Sequence, residues 1–303
     1  MPKFSIESLT LQVYLKRRLP RLYSLIRFFI FDFRNTLNNL ILRVRFGRRS
    51  AQIARLKGIA AGEVVYILAT GPSIRKVELG RLHGKSLIAV NAAIKLIAEV
   101  DPRIAVHMII DTNRVLEIGY LRSQKVTHYV RSFTTPVKMP LRVALFGDLL
   151  QAEDVYLKPF LRLQGGYVLP VLDRNDKLGA ISEDLIRGFY DTGNTVVFGA
   201  IQMAHYMGAR EIVLCGVDMT FTSEAKTNYG VHMPGIHVAN IDSFQAKIPY
   251  MLNSFREYQK QLNVRNTRLS RFASDGALDF LPVYEEERDN VPPVFVANSA
   301  KSQ

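Results

Sequence analysis

Continuous apolar runs alternate with amphipathic stretches along the middle of the chain. The runs are residues 63–70, 86–91, 104–111 and 211–218, and helical periodicity follows in residues 92–100, 195–207 and 243–262. Strands that are buried on both faces of a parallel sheet read as unbroken apolar runs. The alternation of such runs with helices predicts an α/β domain with a mostly parallel sheet.

The regions around this pattern differ from it in composition. We predict a basic arm in residues 1–58, a folded domain in residues 59–285 and a flexible polar tail in residues 286–303. Residues 120–185 contain four prolines and are a possible inserted lobe. The domain prediction therefore rests on the two halves that flank this segment.

The charge is concentrated in the arm. Residues 1–58 hold 13 of the 40 Lys and Arg of the chain and only two acidic residues, while their apolar residues recur at helical spacing. Charges at Arg21, Arg27 and Asp32 interrupt any span, so we predict an amphipathic helix on an anionic membrane surface. A partner helix is the second interpretation. Nucleic-acid binding is the third, and we expect no nucleic acid as a partner.

Polar and small residues follow the predicted strands. In open α/β sheets, ligands bind beyond the carboxyl ends of the strands, and residues of these types suit the phosphate, ribose and base of a nucleotide. The loop after the first strand carries neither of the common glycine-rich nucleotide fingerprints. The candidate nucleotide-binding residues are Gly71, Pro72, Ser73, Asn91, Asp111, Thr112, Thr192, Asn194 and Thr195.

Candidates for acid–base chemistry lie after the last apolar run. His232 and His237 belong to a stretch that contains glycine and proline, where an imidazole can take a proton from an attacking hydroxyl. Asp218 and Asp111 are the carboxylate alternatives. The chain has no D-x-D triplet, and its single cysteine, Cys215, excludes a thiolate metal site. We therefore predict chemistry without a metal or other cofactor, in a reducing compartment.

A second basic stretch lies near the carboxyl end of the folded domain. It contains Arg256, Lys260, Arg265, Arg268 and Arg271. These residues either form a solvated helix face or contact an anionic substrate, for which the planar guanidinium group is well suited.

Several of these motifs resemble those of a known family. Residues 67–73 (ILATGPS), 87–91 (LIAVN), 109–112 (IIDT), 195–220 and 266–270 (NTRLS) resemble the lipopolysaccharide core Kdo III transferases. The Gly-Pro-Ser loop and the Gly216-Val217-Asp218 strand end are also similar to the bacterial CMP-sialic acid-dependent sialyltransferases of the Campylobacter type. The resemblance covers about residues 64–115 and 190–285.

The resemblance implies a Rossmann-like, GT-A-like fold of the sialyltransferase type and a glycosyltransferase that uses a CMP-linked keto sugar acid. It implies inverting transfer of Kdo, without a metal, to a lipid-linked saccharide acceptor. The chain would then act in the cytoplasm, peripherally on the inner face of the bacterial inner membrane. Tyr229 is the one match to the two phosphate-binding tyrosines of the sialyltransferases, and an oligomer is possible.

Three alternatives stay open, two of them enzymes. One is a sialyltransferase that acts on a glycolipid, which shares the fold and the CMP site. The other is an enzyme like the pterin diphosphokinases, which have a similar Gly-Pro-Ser loop and would need ATP and Mg²⁺. A non-catalytic adaptor that binds through the arm is a third class.

Overall fold

The computed structural model describes residues 52–110, 123–132, 166–169, 171–172, 178–186, 188–190, 195–220, 245, 247–272 and 276–285. Most of the predicted basic arm and the whole predicted tail, residues 286–303, lie outside these ranges.

Parallel strands form the centre of the molecule. In chain order they are β1 (Val64–Leu68), β2 (Ser86–Val90), β3 (Ile104–Ile109), β4 (His128–Ser132), β5 (Gly166–Leu169), β6 (Val171–Leu172), β7 (Phe189–Tyr190), β8 (Glu211–Cys215) and β9 (Arg268–Arg271). Six of them form an all-parallel sheet in the order β4-β3-β2-β1-β8-β9. β5 extends the sheet beyond β4, and β6 pairs with β7 separately. The predicted α/β fold with a Rossmann-like parallel sheet is confirmed at this level.

Burial explains which strands the apolar pattern revealed. Every residue of β1, β2, β3 and β8 is buried, because each of these strands has neighbours on both sides and layers on both faces. β9 lies at the edge of the six-stranded sheet, and only Leu269 and Ser270 of its four residues are buried. Its two arginines therefore sit where a fully buried strand would carry apolar side chains.

In the described ranges, three α-helices accompany the sheet, namely α1 (Ile94–Ile97), α2 (Val196–Tyr206) and α3 (Ile248–Val264). Short 3₁₀ helices cover Gln52–Leu56, Pro72–Lys76, Leu79–Leu82 and Asn91–Ala93. Thr195 caps α2, since its hydroxyl accepts a hydrogen bond from the backbone N–H of Val197. Within the described part of the chain, no helix has the length and apolar character needed to cross a bilayer.

The core consists of two layers, one on each face of the sheet. Val65 and Ile67 of β1 pack with α2 and α3 on one face, while Tyr66 and Leu68 point to the face that carries α1. Phe198 of α2 links the two long helices. Its ring centroid lies 4.6 Å from that of Phe255 and 4.9 Å from that of Tyr258. α2 is thereby fixed between the sheet and α3.

The folded body begins inside the predicted arm. Ile53 and Leu56 are fully buried in the core layer that contains α2. The backbone N–H groups of Gly58 and Ala60 donate to the carbonyls of Tyr206 and Met207 at the end of α2. Residues 52–58 therefore belong to the body. The segment 120–185 contributes β4 and β5 to the main sheet.

Candidate functional site

A cleft opens beside β1, where the order in which strands are added to the sheet changes from one side to the other. β2, β3 and β4 lie on one side of β1, whereas β8 and β9 lie on the other. Neighbouring loops diverge at such a switch point, which is where parallel α/β sheets bind ligands. The cleft has a volume of about 160 Å³ and lies at the carboxyl ends of β1, β2 and β8 and the amino end of α2. Its lining residues are Ala69, Thr70, Gly71, Pro72, Val90, Asn91, Thr195, Val196, Val197, Gly216, Val217, Asp218, Met219 and Thr220.

The loop after β1 lies directly against the loop after β8. The backbone N–H of Gly71 donates to the carbonyl of Gly216 over 2.8 Å. A Cβ atom at position 71 would lie 2.5 Å from that carbonyl oxygen and 2.7 Å from Oδ2 of Asp218. Glycine is therefore required here for space. Pro72 then begins a 3₁₀ helix, which turns the chain away from the cleft.

Asp218 connects three loops at the floor of the cleft. Its Oδ2 accepts a hydrogen bond of 2.9 Å from the backbone N–H of Ser73, and its side chain is almost fully buried. Its backbone carbonyl accepts a hydrogen bond of 2.9 Å from Ala277. The neighbouring Gly276 has φ +95°, and a Cβ there would lie 2.7 Å from the same carbonyl. The carboxylate thus holds the Gly71 loop in place.

Asn91, a residue of the cleft lining, carries an unsatisfied polar atom. Its side-chain oxygen Oδ1 is buried and has no hydrogen-bond partner among the described residues. The backbone of Asn91 is left-handed, with φ +51°, a conformation that asparagine tolerates better than most residues. Buried polar atoms are nearly always paired in folded proteins, so this acceptor, on a residue of the cleft lining, calls for a donor that the described residues do not supply.

His107 supports Asn91 from below. It lies on β3 with no exposed surface, and its Nε2 is 2.8 Å from the backbone carbonyl of Asn91. Its ring meets that of Tyr129 edge to face, at a centroid distance of 5.9 Å. His107 is thus a buried residue beneath the cleft rather than a group that faces it.

The amino terminus of α2 forms another wall of the cleft. Thr195, Val196 and Val197 line it, and the positive end of the helix dipole lies there. Among the described lining residues, Asp218 is the one charged side chain. An anionic group would therefore be attracted by the helix terminus rather than by a lysine or an arginine of the described lining.

The structure brings together six of the predicted site residues. Gly71, Pro72, Asn91, Thr195 and Asp218 line the cleft, and Ser73 is bound to Asp218 behind it. The other seven predicted site residues lie outside the described residues. They are Asp111, Thr112, Thr192, Asn194, Tyr229, His232 and His237.

Sequence reasoning did not identify the supporting residues. His107 is a single histidine in an apolar run, and its partner is a backbone carbonyl 16 residues away, which no side-chain pattern reveals. Gly276 follows an aspartate, and Asp-Gly is typical of a turn, but that signal does not reveal the contact with Asp218. Left-handed Met219, with φ +53°, gives no sequence signal at all.

Two other chemical possibilities are limited by the geometry. Burial raises the pKa of the Cys215 thiol, so this residue of β8 stays protonated and is not a nucleophile. In the part of the chain that the structure describes, no group of three or more His, Cys, Asp or Glu side chains could hold a metal ion.

Each residue of the second basic stretch contacts another residue of the chain. Lys260 pairs with Glu257, and Arg265 pairs with Glu183, both over 2.8 Å. The remaining three residues also have partners: Arg268 pairs with Glu211, Arg271 binds the carbonyl of Leu281, and Arg256 lies over the ring of Phe280. These contacts fit the interpretation of the stretch as a solvated face with local ion pairs.

Neither a scan against protein-family models nor a search of curated proteins finds a match to this chain.

Proposed function

We propose that the protein is a glycosyltransferase that transfers Kdo from CMP-Kdo to a lipopolysaccharide core acceptor at the inner face of the bacterial inner membrane. The reaction is inverting and needs no metal. The observation that carries this proposal is the buried oxygen of Asn91, a residue at the switch point of the sheet, for which the described residues supply no partner.

The Asn91 oxygen fits a donor group of the nucleotide. Cytidine offers the amino group of its base and two ribose hydroxyls, each of which can donate a hydrogen bond. Leaving the oxygen unpaired costs about 1–3 kcal/mol, and a bound nucleotide recovers that free energy. The free energy of burying the Asn91 oxygen is thus part of folding and does not oppose the binding of the ligand.

The phosphate fits the opposite wall. The amino terminus of α2 supplies a positive dipole end near Thr195. A CMP-linked sugar has one phosphodiester, so its phosphate carries less charge than a diphosphate. The missing Cβ of Gly71 lets the loop after β1 pack against Gly216 and Asp218, which shapes the wall that the donor would meet.

The transfer itself is a single displacement. An acceptor hydroxyl attacks C2 of the sugar, the bond from C2 to the phosphate oxygen breaks, and CMP leaves. A base takes the hydroxyl proton, and we assign that role to His232 or His237. Asp218 is less suited to it, because Ser73 already donates to one of its oxygens. We assign Asp218 to holding the donor loop.

The basic arm would hold the enzyme at the membrane surface where the acceptor lies. The Lys and Arg of residues 1–58 would each contribute about 1 kcal/mol near an anionic leaflet, which is ample for reversible binding. A lipid-linked acceptor stays at that surface, so an enzyme bound there meets it by diffusion in two dimensions.

Nucleotide selectivity tests the proposal. Thermal shift and calorimetry should be run with CMP, CDP, UDP, GDP and ATP, each in EDTA and in Mg²⁺. We expect CMP to bind and stabilise the protein in EDTA, and we expect CMP-Kdo with a lipopolysaccharide core acceptor to release CMP.

Other results would redirect the assignment. CMP binding together with turnover of CMP-sialic acid, and none of CMP-Kdo, would indicate a sialyltransferase. A response to ATP with Mg²⁺ alone would indicate a kinase like the pterin diphosphokinases. Binding of no nucleotide would contradict the proposal and favour an adaptor.

A further inference from the structure

We infer that His107 is a positioning residue, whose hydrogen bond to the backbone of Asn91 directs the Asn91 amide into the nucleotide cleft. The inference rests on the proposed nucleotide site. It starts from the 2.8 Å contact between Nε2 of His107 and the carbonyl oxygen of Asn91. A carbonyl can only accept, so Nε2 carries the proton and donates it.

The hydrogen bond from His107 stabilises an unfavourable backbone conformation at Asn91. Ala89 of β2 is opposite His107 of β3, and Asn91 is the first residue beyond the end of β2. There the chain leaves the sheet in the left-handed conformation, with φ +51°. The carbonyl of Asn91 points down towards β3, where His107 is the described donor. When this carbonyl is held, the backbone dihedrals of Asn91 are held as well. They set the direction in which the Asn91 side chain leaves Cα.

The surroundings of the imidazole suit this task. His107 is fully buried, and its ring packs edge to face against Tyr129 at an interplanar angle of 77°. A ring held on β3 has little freedom to move. The hydrogen bond from His107 thus links a residue of the cleft lining to the centre of the sheet.

Substitution of His107 separates this role from ordinary packing. His107→Leu and His107→Phe both remove the donor, and Phe also keeps an aromatic ring beside Tyr129 in case Leu does not fold. His107→Gln places an amide N–H at the same number of bonds from the backbone. We expect the two donor-free variants to bind CMP about tenfold more weakly in calorimetry, and Gln to restore most of the affinity.

A double-mutant cycle identifies the partner. If His107 acts through Asn91, then His107→Leu should add almost nothing to the loss of affinity in Asn91→Ala. Thr267→Val is the matched control. Thr267 lies just before β9, at the opposite end of the sheet from the cleft, and its buried hydroxyl donates to the carbonyl of Ala209. That variant should be less stable and bind CMP normally.

Two results would overturn the inference: wild-type affinity in both donor-free variants, or additive losses in the cycle. If the wild-type protein binds no nucleotide, the proposed function fails. The inference is then decided by crystal structures of the unliganded wild type and His107→Leu. A changed backbone or amide direction at Asn91 supports it, and an unchanged Asn91 overturns it.

Discussion

Among the described residues that line the cleft, two that are not glycine adopt the left-handed backbone, Asn91 and Met219. This conformation costs an ordinary L-residue about 1–2 kcal/mol, because Cβ approaches the following carbonyl. Such strain persists only where neighbouring contacts impose it, and it is concentrated at functional sites. At Asn91 the hydrogen bond from His107 is such a contact. The strained backbone and the oxygen that has no described partner therefore belong to the same residue, Asn91.

Substitution of Asn91 separates its backbone from its amide. We expect Asn91→Gly and Asn91→Ala both to weaken CMP binding by about tenfold, since each removes the buried acceptor. Asn91→Ala should also be about 1 kcal/mol less stable than Asn91→Gly, because only glycine adopts φ +51° without strain. Calorimetry with CMP and urea unfolding measure the two effects. Unchanged affinity in both variants would show that the amide makes no contact with the nucleotide.

At the scale of elements, the cleft depends on the close contact of the loops after β1 and β8. Gly71 lies against Gly216 and Asp218, and Ser73 is bound by the Asp218 carboxylate. None of these contacts leaves space for a methyl group at residue 71, and the closest atom belongs to the backbone, which cannot move aside. The relative position of the two loops is therefore set by the absence of a side chain.

Gly71→Ala should disturb both stability and binding. We expect a loss of about 1–3 kcal/mol in the free energy of unfolding, as for other overpacked sites, together with weaker CMP binding. Gly80→Ala is the matched control. It lies in the next 3₁₀ helix, and a Cβ there meets no atom within 4 Å. Urea unfolding and calorimetry of the pair test this, and equal stability of the two variants would count against a tight contact at Gly71.

The elements differ in how well the sequence predicts them. β1, β2, β3 and β8 were predicted because burial on both faces leaves an apolar run. β9 was not, since Arg268 and Arg271 occupy half of this short edge strand. The predicted runs also extended past the strands into Thr70 and Asp218, which the structure places in loops of the cleft. Strand ends could thus be located within a few residues, whereas strand order and the contacts of His107 depend on tertiary packing.

At the scale of the molecule, the folded body and the basic arm meet before residue 58. Ile53 and Leu56 are fully buried, and Gly58 is bonded to the end of α2. The proposed membrane-binding function must therefore be carried mainly by residues that precede Gln52.

Two truncations test this boundary. Removal of residues 1–50 should preserve the Tm and CMP binding and abolish co-sedimentation with vesicles that contain anionic lipid. Removal of residues 1–58 should also lower the free energy of unfolding by several kcal/mol, at about 2–5 kcal/mol for each large buried side chain lost. Vesicle binding that survives the shorter truncation would assign the membrane contact to the body instead.

The order of the strands has a consequence for the synthesis of the protein. The bond between Ser73 and Asp218 joins residues 145 apart, and the Asp218 carbonyl is then bound by Ala277. A nascent chain that has already made β1, β2 and β3 still exposes one long edge of β1 until β8 leaves the ribosome. Parallel pairing over such distances is slow, and an unpaired edge invites aggregation. We therefore expect the nascent chain to need protection by chaperones, and the cleft between the loops after β1 and β8 to be among the last features to form.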